Sequence, residues 1–159
     1  MEIERKWLVD GFPAAGTYPL LCEKRTAQGY IATQPVVRIR KSEDAAGKKR
    51  FVLCFKGPGT LAREEIETDI DEALFGRLCV FTGKDLVTKR YRAYRLPDGH
   101  VLEVSCVDEG RPTSFWYAEV EFDSVEAARA FVPPAYLGPE KTEDPAFSMS
   151  GYWKRTRGV

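Results

Sequence analysis

The sequence is poor in the residues that usually carry zinc or nucleophilic chemistry. It has one histidine, His100, and four scattered cysteines, Cys22, Cys54, Cys79 and Cys106, with no CxxC pair. A zinc cluster or a Cys/His dyad therefore has little material, and reduced structural thiols are expected. His100 follows the turn Leu96-Pro97-Asp98-Gly99 and reads as a solvent-facing hairpin residue. GxSxG, Walker and GxGxxG patterns are absent. No run of about 18 apolar residues occurs, and no charged-then-apolar leader with a small-residue cleavage site. A cytoplasmic protein that avoids membranes is expected. Net charge is missing too: 24 Lys plus Arg balance 24 Asp plus Glu, which argues against a nucleic-acid partner.

What remains is a chain of 159 residues, 43% hydrophobic and 30% charged, enough for one globular domain spanning 1–159. Turn signals at Gly57-Pro58-Gly59, Pro97-Asp98-Gly99 and Pro133-Pro134 are too short to be linkers. Alternation between them predicts strands near Glu2–Leu8, Gly29–Thr33, Val36–Lys41, Arg50–Lys56, Ala62–Thr68, Leu86–Arg95, His100–Val107 and Phe115–Asp123. Helices are predicted after Asp69 or Asp71, with Ile70, Leu74 and Leu78 on one face, after Ser124, and from Asp144-Pro145. The fold class is α+β, dominated by antiparallel hairpins.

The alternate positions of these strands are charged. Glu2, Glu4 and Lys6 share one face; so do Arg38 and Arg40; Arg63, Glu65 and Glu67; Glu103 and Ser105; Glu119 and Glu121. Lys56 ends a strand that needs either a bulge or a different phase to agree with Leu53 and Phe55. In Lys89-Arg90-Tyr91-Arg92 either the Lys89 or the Arg90 parity could face this set. Two architectures fit: an open sheet with a solvated outer face, or a closed eight-stranded barrel with a wet, charged lining and helices packed outside. A dry charged interior is excluded by the cost of burying isolated ions. Carboxylates suit Mg²⁺ or Mn²⁺, and Arg and Lys hold phosphate oxygens, so a metal-bridged polyphosphate fits both halves of such a lining.

Glu2-Ile3-Glu4-Arg5-Lys6 resembles the ExExK signature of the CYTH proteins, also called triphosphate tunnel metalloenzymes. The likeness continues in order through Gln28-Gly29-Tyr30, Arg38-Ile39-Arg40, Phe55-Lys56-Gly57, Arg63-Glu64-Glu65-Ile66-Glu67, Lys89-Arg90-Tyr91, Glu103-Val104-Ser105 and Glu119-Val120-Glu121. The resemblance implies an eight-stranded antiparallel tunnel, Mg²⁺ or Mn²⁺ dependence and a triphosphate-containing substrate. It implies metal ligation by Glu2, Glu4, Glu119 and Glu121, with Glu65, Glu67 and Glu103 as further tunnel acids. Phosphate contacts fall to Lys6, Arg38, Arg40, Lys56 and Arg63, and proton transfer to Lys89 and Tyr30. Ser105 stands where the family has aspartate, and Phe147 and Met149 where it often has Tyr and Asn. The reading is metal-dependent hydrolysis of inorganic tripolyphosphate to pyrophosphate and phosphate. Rival readings are a class IV adenylate cyclase, a thiamine triphosphatase, or a triphosphate- or polyphosphate-binding module of low turnover. A homodimer is compatible with each.

Overall fold

The computed structural model describes residues 1–159 throughout. Nine strands form one antiparallel sheet: β1 (Glu2–Leu8), β2 (Leu20–Thr33), β3 (Val36–Asp44), β4 (Lys49–Lys56), β5 (Ala62–Arg63), β6 (Glu65–Ile70), β7 (Val87–Arg95), β8 (Val101–Val107) and β9 (Phe115–Glu121). Their lateral order is β5-β1-β9-β8-β7-β2-β3-β4-β6. The outermost two, β5 and β6, are one run of chain interrupted at Glu64 alone. Arg63 pairs with Glu2 on one edge while Glu65 pairs with Lys56 on the other, so a single interrupted strand joins both edges and closes the barrel. The sequence expectation of eight strands holds once β5 and β6 are counted as that one strand.

Two strands differ from expectation. β2 begins at Leu20, well before the Gly29 expected, because Lys24, Thr26 and Gln28 alternate with Arg25 and Ala27 and give no apolar period. β4 needs no bulge: Val36↔Lys56 through Glu43↔Lys49 run in unbroken register, with Leu53 and Phe55 on one face and Lys56 on the other.

Helices pack against the outer faces. α1 (Glu72–Thr82) is capped by the Asp71 side chain on Leu74 N and ends at Gly83 in the left-handed region, φ 67°. Its buried residues are Phe75, one position off the predicted Ile70/Leu74/Leu78 stripe, and Thr82, which continues it; Ile70 belongs to β6 and Leu74 is exposed. A Cβ at Gly29 would lie 2.6 Å from Leu86 Cδ2 and 2.9 Å from Thr82 Cγ2, so the missing side chain lets the end of α1 seat on β2. α2 (Val125–Ala130) is capped by Ser124, as expected. α3 (Met149–Arg157) starts later than expected. Asp144 instead closes a local turn onto Ala146 N (3.0 Å), and Ser148 caps the helix through Gly151 N (3.0 Å).

The dry core lies outside the barrel. Trp7, Leu102, Val104, Ala118 and Val120 point outward to meet Ala128 and Phe131 of the α2 region. Arg5 belongs to this shell: its Nη1 donates to the carbonyls of Ala128 and Phe131, both at 2.9 Å, and its guanidinium lies 5.1 Å from the Trp7 ring. His100 is part-buried against Phe122 and Phe131 (5.0 and 5.5 Å), not solvent-facing as its turn suggested. A second cluster joins Tyr30 and Tyr117 to Tyr152 and Trp153 of α3. Buried Arg157 anchors that helix by donating to Asp108 Oδ2 at 2.6 Å and to the carbonyls of Asp85 and Leu86. All four cysteines are free thiols. No helix is long and apolar enough to cross a membrane.

Candidate functional site: a charged tunnel

The inward positions of the barrel enclose a cavity of about 310 Å³, within the range of small-ligand sites. β1 contributes Glu2, Glu4 and Lys6; β3 contributes Arg38 and Arg40; β4 contributes Lys56; the interrupted strand contributes Arg63, Glu65 and Glu67. β7 presents Lys89 and Tyr91, β8 Glu103 and Ser105, and β9 Tyr117, Glu119 and Glu121. Every site residue named from the sequence, Tyr30 included, faces this one space. The phase of β7 is now resolved. Lys89 points inward, whereas Arg90 and Arg92 lie outside, over Phe12 at 5.1 and 4.2 Å. Residues given no role in the sequence also line the wall: Lys24 and Thr26 of β2, Tyr117, and the motif residues Gln28 and Tyr91. Tyr117 was legible from its shared parity with Glu119 and Glu121.

Charges on the wall are sorted into two neighbourhoods. At the closing seam, Lys56 Nζ donates to Glu2 at 2.9 Å and lies 3.1 Å from Glu65, with Arg63 3.5 Å from Glu2. Burial alone would raise the Glu2 pKa, but the Glu65 hydrogen bond and the charges of Lys56 and Arg63 outweigh it and pull it to about 2. Burial and the shared hydrogen bond push Glu65 the other way. One step along β1, burial, the Glu119 charge and Glu2 push Glu4 up to about 7, despite Lys6 at 3.2 Å. Glu103 and Glu121 are also raised, by burial and by neighbouring carboxylates. This patch holds more negative charge than its bases neutralise.

On the opposite wall Arg38 is 7% exposed, and its Nε has no protein partner. Burial would lower Arg38, yet Tyr30, Cys54, Glu65 and Glu2 keep it charged. Lys89 is pushed down to about 7, chiefly by burial; Glu119 opposes the shift, and Arg38, Arg40 and Lys56 add to it. Its Nζ lies 2.5 Å from the Tyr117 hydroxyl. Tyr30 does not take that place; its hydroxyl accepts from Gln28 Nε2 at 3.1 Å.

The Glu4, Glu119 and Glu121 carboxyls are oxygen donors of the kind that Mg²⁺ or Mn²⁺ takes, and the upward push of Glu119 on Glu4 and of Glu4 on Glu121 shows that they crowd one another. The one trio whose ligand atoms lie within 4.8 Å of one another is Cys54, Glu65 and Glu67, but burial keeps the Cys54 thiol protonated and Arg38 is adjacent. That cluster is less suited to a cation.

A closed antiparallel barrel whose lining pairs a carboxylate patch with an array of Arg and Lys defines a class of protein built to hold a metal-bridged phosphate chain. The chain is 37% identical over 143 residues to the inorganic triphosphatase of Nitrosomonas europaea, a match covering 90% of each protein. Its fold resembles the crystal structure of inorganic triphosphatase NE1496 with TM-score 0.63, at 30% identity and covering 96% of this chain and 93% of that one. The PH1819 protein from Pyrococcus horikoshii OT3 shares the fold at TM-score 0.60 and 19% identity, covering 85% and 80%. No sequence model of a protein family matches. The chain belongs to the triphosphate tunnel, or CYTH, family.

Proposed function

We propose that the protein is a metal-dependent phosphohydrolase that cleaves inorganic tripolyphosphate to pyrophosphate and orthophosphate. The observation that carries this reading is the sorting of charge: an under-neutralised carboxylate patch faces a cationic wall across one small cavity. Glu4, Glu119 and Glu121 would hold Mg²⁺ or Mn²⁺, with Glu2, on the same face of β1, as a further donor. The chemistry the cation would supply there is charge neutralisation at the phosphate oxygens.

Lys6, Arg38, Arg40, Lys56 and Arg63 grip the phosphate oxygens and align the chain, which is most of what phosphoryl transfer asks of a protein. Arg38 Nε, free of protein partners, supplies one donor. Glu65 and Glu67 hold Lys56 and Arg40 in place, at 3.1 and 3.6 Å, while Glu103 accepts from Tyr91. Lys89 accepts the proton of a water whose oxygen bonds to the terminal phosphorus as the bridging P–O bond breaks. Pyrophosphate leaves with that electron pair, and the proton passes from Lys89 to solvent. A lysine lowered to about 7 is matched to this work at neutral pH. Tyr30, fixed by Gln28 and packed 5.7 Å from the Trp153 ring, shapes the end of the cavity beside it.

The test is phosphate release from tripolyphosphate, thiamine triphosphate and ATP with Mg²⁺, with Mn²⁺ and with EDTA. Turnover of tripolyphosphate that EDTA abolishes is the expected result. Undiminished turnover in EDTA removes the metal, and binding without turnover on every substrate makes the protein a binding module.

A further inference from the structure

The tyrosine nearest Lys89 is not the one to which the sequence pointed. Tyr117 lies on β9, in direct ladder register with Ser105 of β8, and Ser105 is in turn the ladder partner of Tyr91 on β7. Ser105 is 3% exposed, so the small side chain sits in a packed position between two inward phenols. The two phenols have different partners. Tyr91 donates to Glu103 at 2.5 Å, whereas Tyr117 meets the Lys89 amino group at 2.5 Å and presents its ring 5.1 Å from the same nitrogen. Tyr30 is committed elsewhere, to Gln28.

We infer that Tyr117 is a positioning residue for Lys89, holding the amino group against the cavity by its hydroxyl, and that Ser105 makes room for it. A larger acidic side chain at 105 would crowd this phenol and offer the lysine a carboxylate instead. The lysine side chain is long and has many rotamers, and freezing one of them carries an entropic cost. A fixed hydroxyl meets that cost before substrate arrives, so the nitrogen starts the reaction already in place. The inference rests on the reading of Lys89 as proton acceptor. It adds a residue that acts through Lys89 without touching phosphate.

The test is a double-mutant cycle in tripolyphosphate hydrolysis with Mg²⁺, comparing wild type, Tyr117→Phe, Lys89→Ala and the double variant. Tyr117→Phe keeps the ring and removes one oxygen. It should lower kcat about 10-fold or more while KM stays within about 2-fold, because the hydroxyl serves the reacting geometry and not ground-state phosphate binding. The double variant should be no slower than Lys89→Ala alone. Tyr30→Phe combined with Lys89→Ala should instead multiply the two losses. The rise in Tm produced by tripolyphosphate plus Mg²⁺ should survive in Tyr117→Phe, which a folding defect would not allow. Should that variant fold poorly, Tyr117→Met is measured in the same cycle.

Wild-type kcat in Tyr117→Phe overturns the inference. So does a double variant whose loss is the product of the single losses, since Tyr117 would then act independently of Lys89. If Lys89→Ala itself turns over normally, the proton-acceptor reading fails first and the positioning role falls with it. A slow Lys89→Ala beside a normal Tyr117→Phe removes the positioning role alone.

Discussion

Glu2 and Glu4 sit two residues apart on one strand and face the same cavity, yet their surroundings differ in kind. Glu2 lies in a lattice of alternating charge with Lys56, Arg63 and Glu65, which also closes the barrel. Glu4 lies among Glu103, Glu119 and Glu121 with only Lys6 close by. The seam resembles a structural ion-pair network, complete without any ligand. The carboxylate patch is left in deficit by the fold, and a ligand must complete it. Proximity in sequence therefore says little about role; the sign of the neighbours across the barrel decides it.

The sharpest way to break this comparison is Glu4→Gln. It should cut tripolyphosphate turnover about 100-fold or more, in line with losing a metal ligand or its charge, and abolish Mg²⁺ binding by calorimetry. The ligand-free protein should melt no lower than wild type, since one source of like-charge repulsion has gone. A clear fall in ligand-free Tm would place Glu4 in the structural network instead.

Glu2→Gln should differ in lowering ligand-free stability as well. Losing one partner of a buried pair typically costs 3–5 kcal/mol, and because Glu65 still faces Lys56 we expect about 2 kcal/mol. For a domain of this size that is a fall of roughly 4–8 °C in ligand-free Tm by calorimetric scan. Equal Tm values for the two variants would erase the distinction between seam and patch.

Acid should separate them further. The Glu2 pKa is lowered from 4.5 to about 2, so its stabilisation is present above 4.5 and is lost only as pH falls through about 2. Glu4 is raised to about 7, so the folded protein keeps a proton there that the unfolded chain releases above 4.5, and ligand-free stability falls as pH climbs from 4.5 toward 7. Mg²⁺ must displace that proton, so its affinity should weaken about 10-fold per pH unit below 7. Titration calorimetry at pH 5.5, 6.5 and 7.5 checks the slope; a flat profile would assign the metal to other ligands.

The smallest effect should come from the outer wall. Arg90 donates to Glu109 at 2.8 Å outside the barrel. Arg90→Ala should leave kcat and KM within about 2-fold of wild type, the exposed ion pair itself contributing no more than about 1 kcal/mol. A severe kinetic defect would contradict the inward phase of Lys89.

These contrasts also show what was legible in the sequence. Charged residues at alternate positions marked the inward faces of β1, β3, β6, β8 and β9, because a two-residue period survives wherever one face is polar and the other apolar. β2 was cut short in the reading since Arg25 interrupts the outward apolar set opposite Lys24 and Thr26. The start of α3 was misplaced because Asp144 and Ser148 are both good caps, and only the hydrogen bonds decide between them. Barrel closure depends on Glu64 dividing one strand between two edges, a long-range event with no local signature. The partition of acids into seam and patch was equally hidden, since it arises from residues far apart in the chain. Tyr117 was overlooked for a simpler reason: an aromatic beside apolar neighbours reads as core until its parity with Glu119 is taken seriously.

The placement of β1 between β5 and β9 has a consequence for how the molecule is made. Glu4 pairs with Glu121, so β1 leaves the ribosome long before the strand it pairs with and waits half-satisfied for it. Long-range antiparallel pairings of this kind form slowly, and the waiting strand is an exposed edge throughout. Its alternating Glu2, Glu4 and Lys6 suit that interval, because charges along an unpaired edge discourage it from adding to another chain. The side chains that later face phosphate thus also protect the nascent polypeptide, before any cavity exists for them to line.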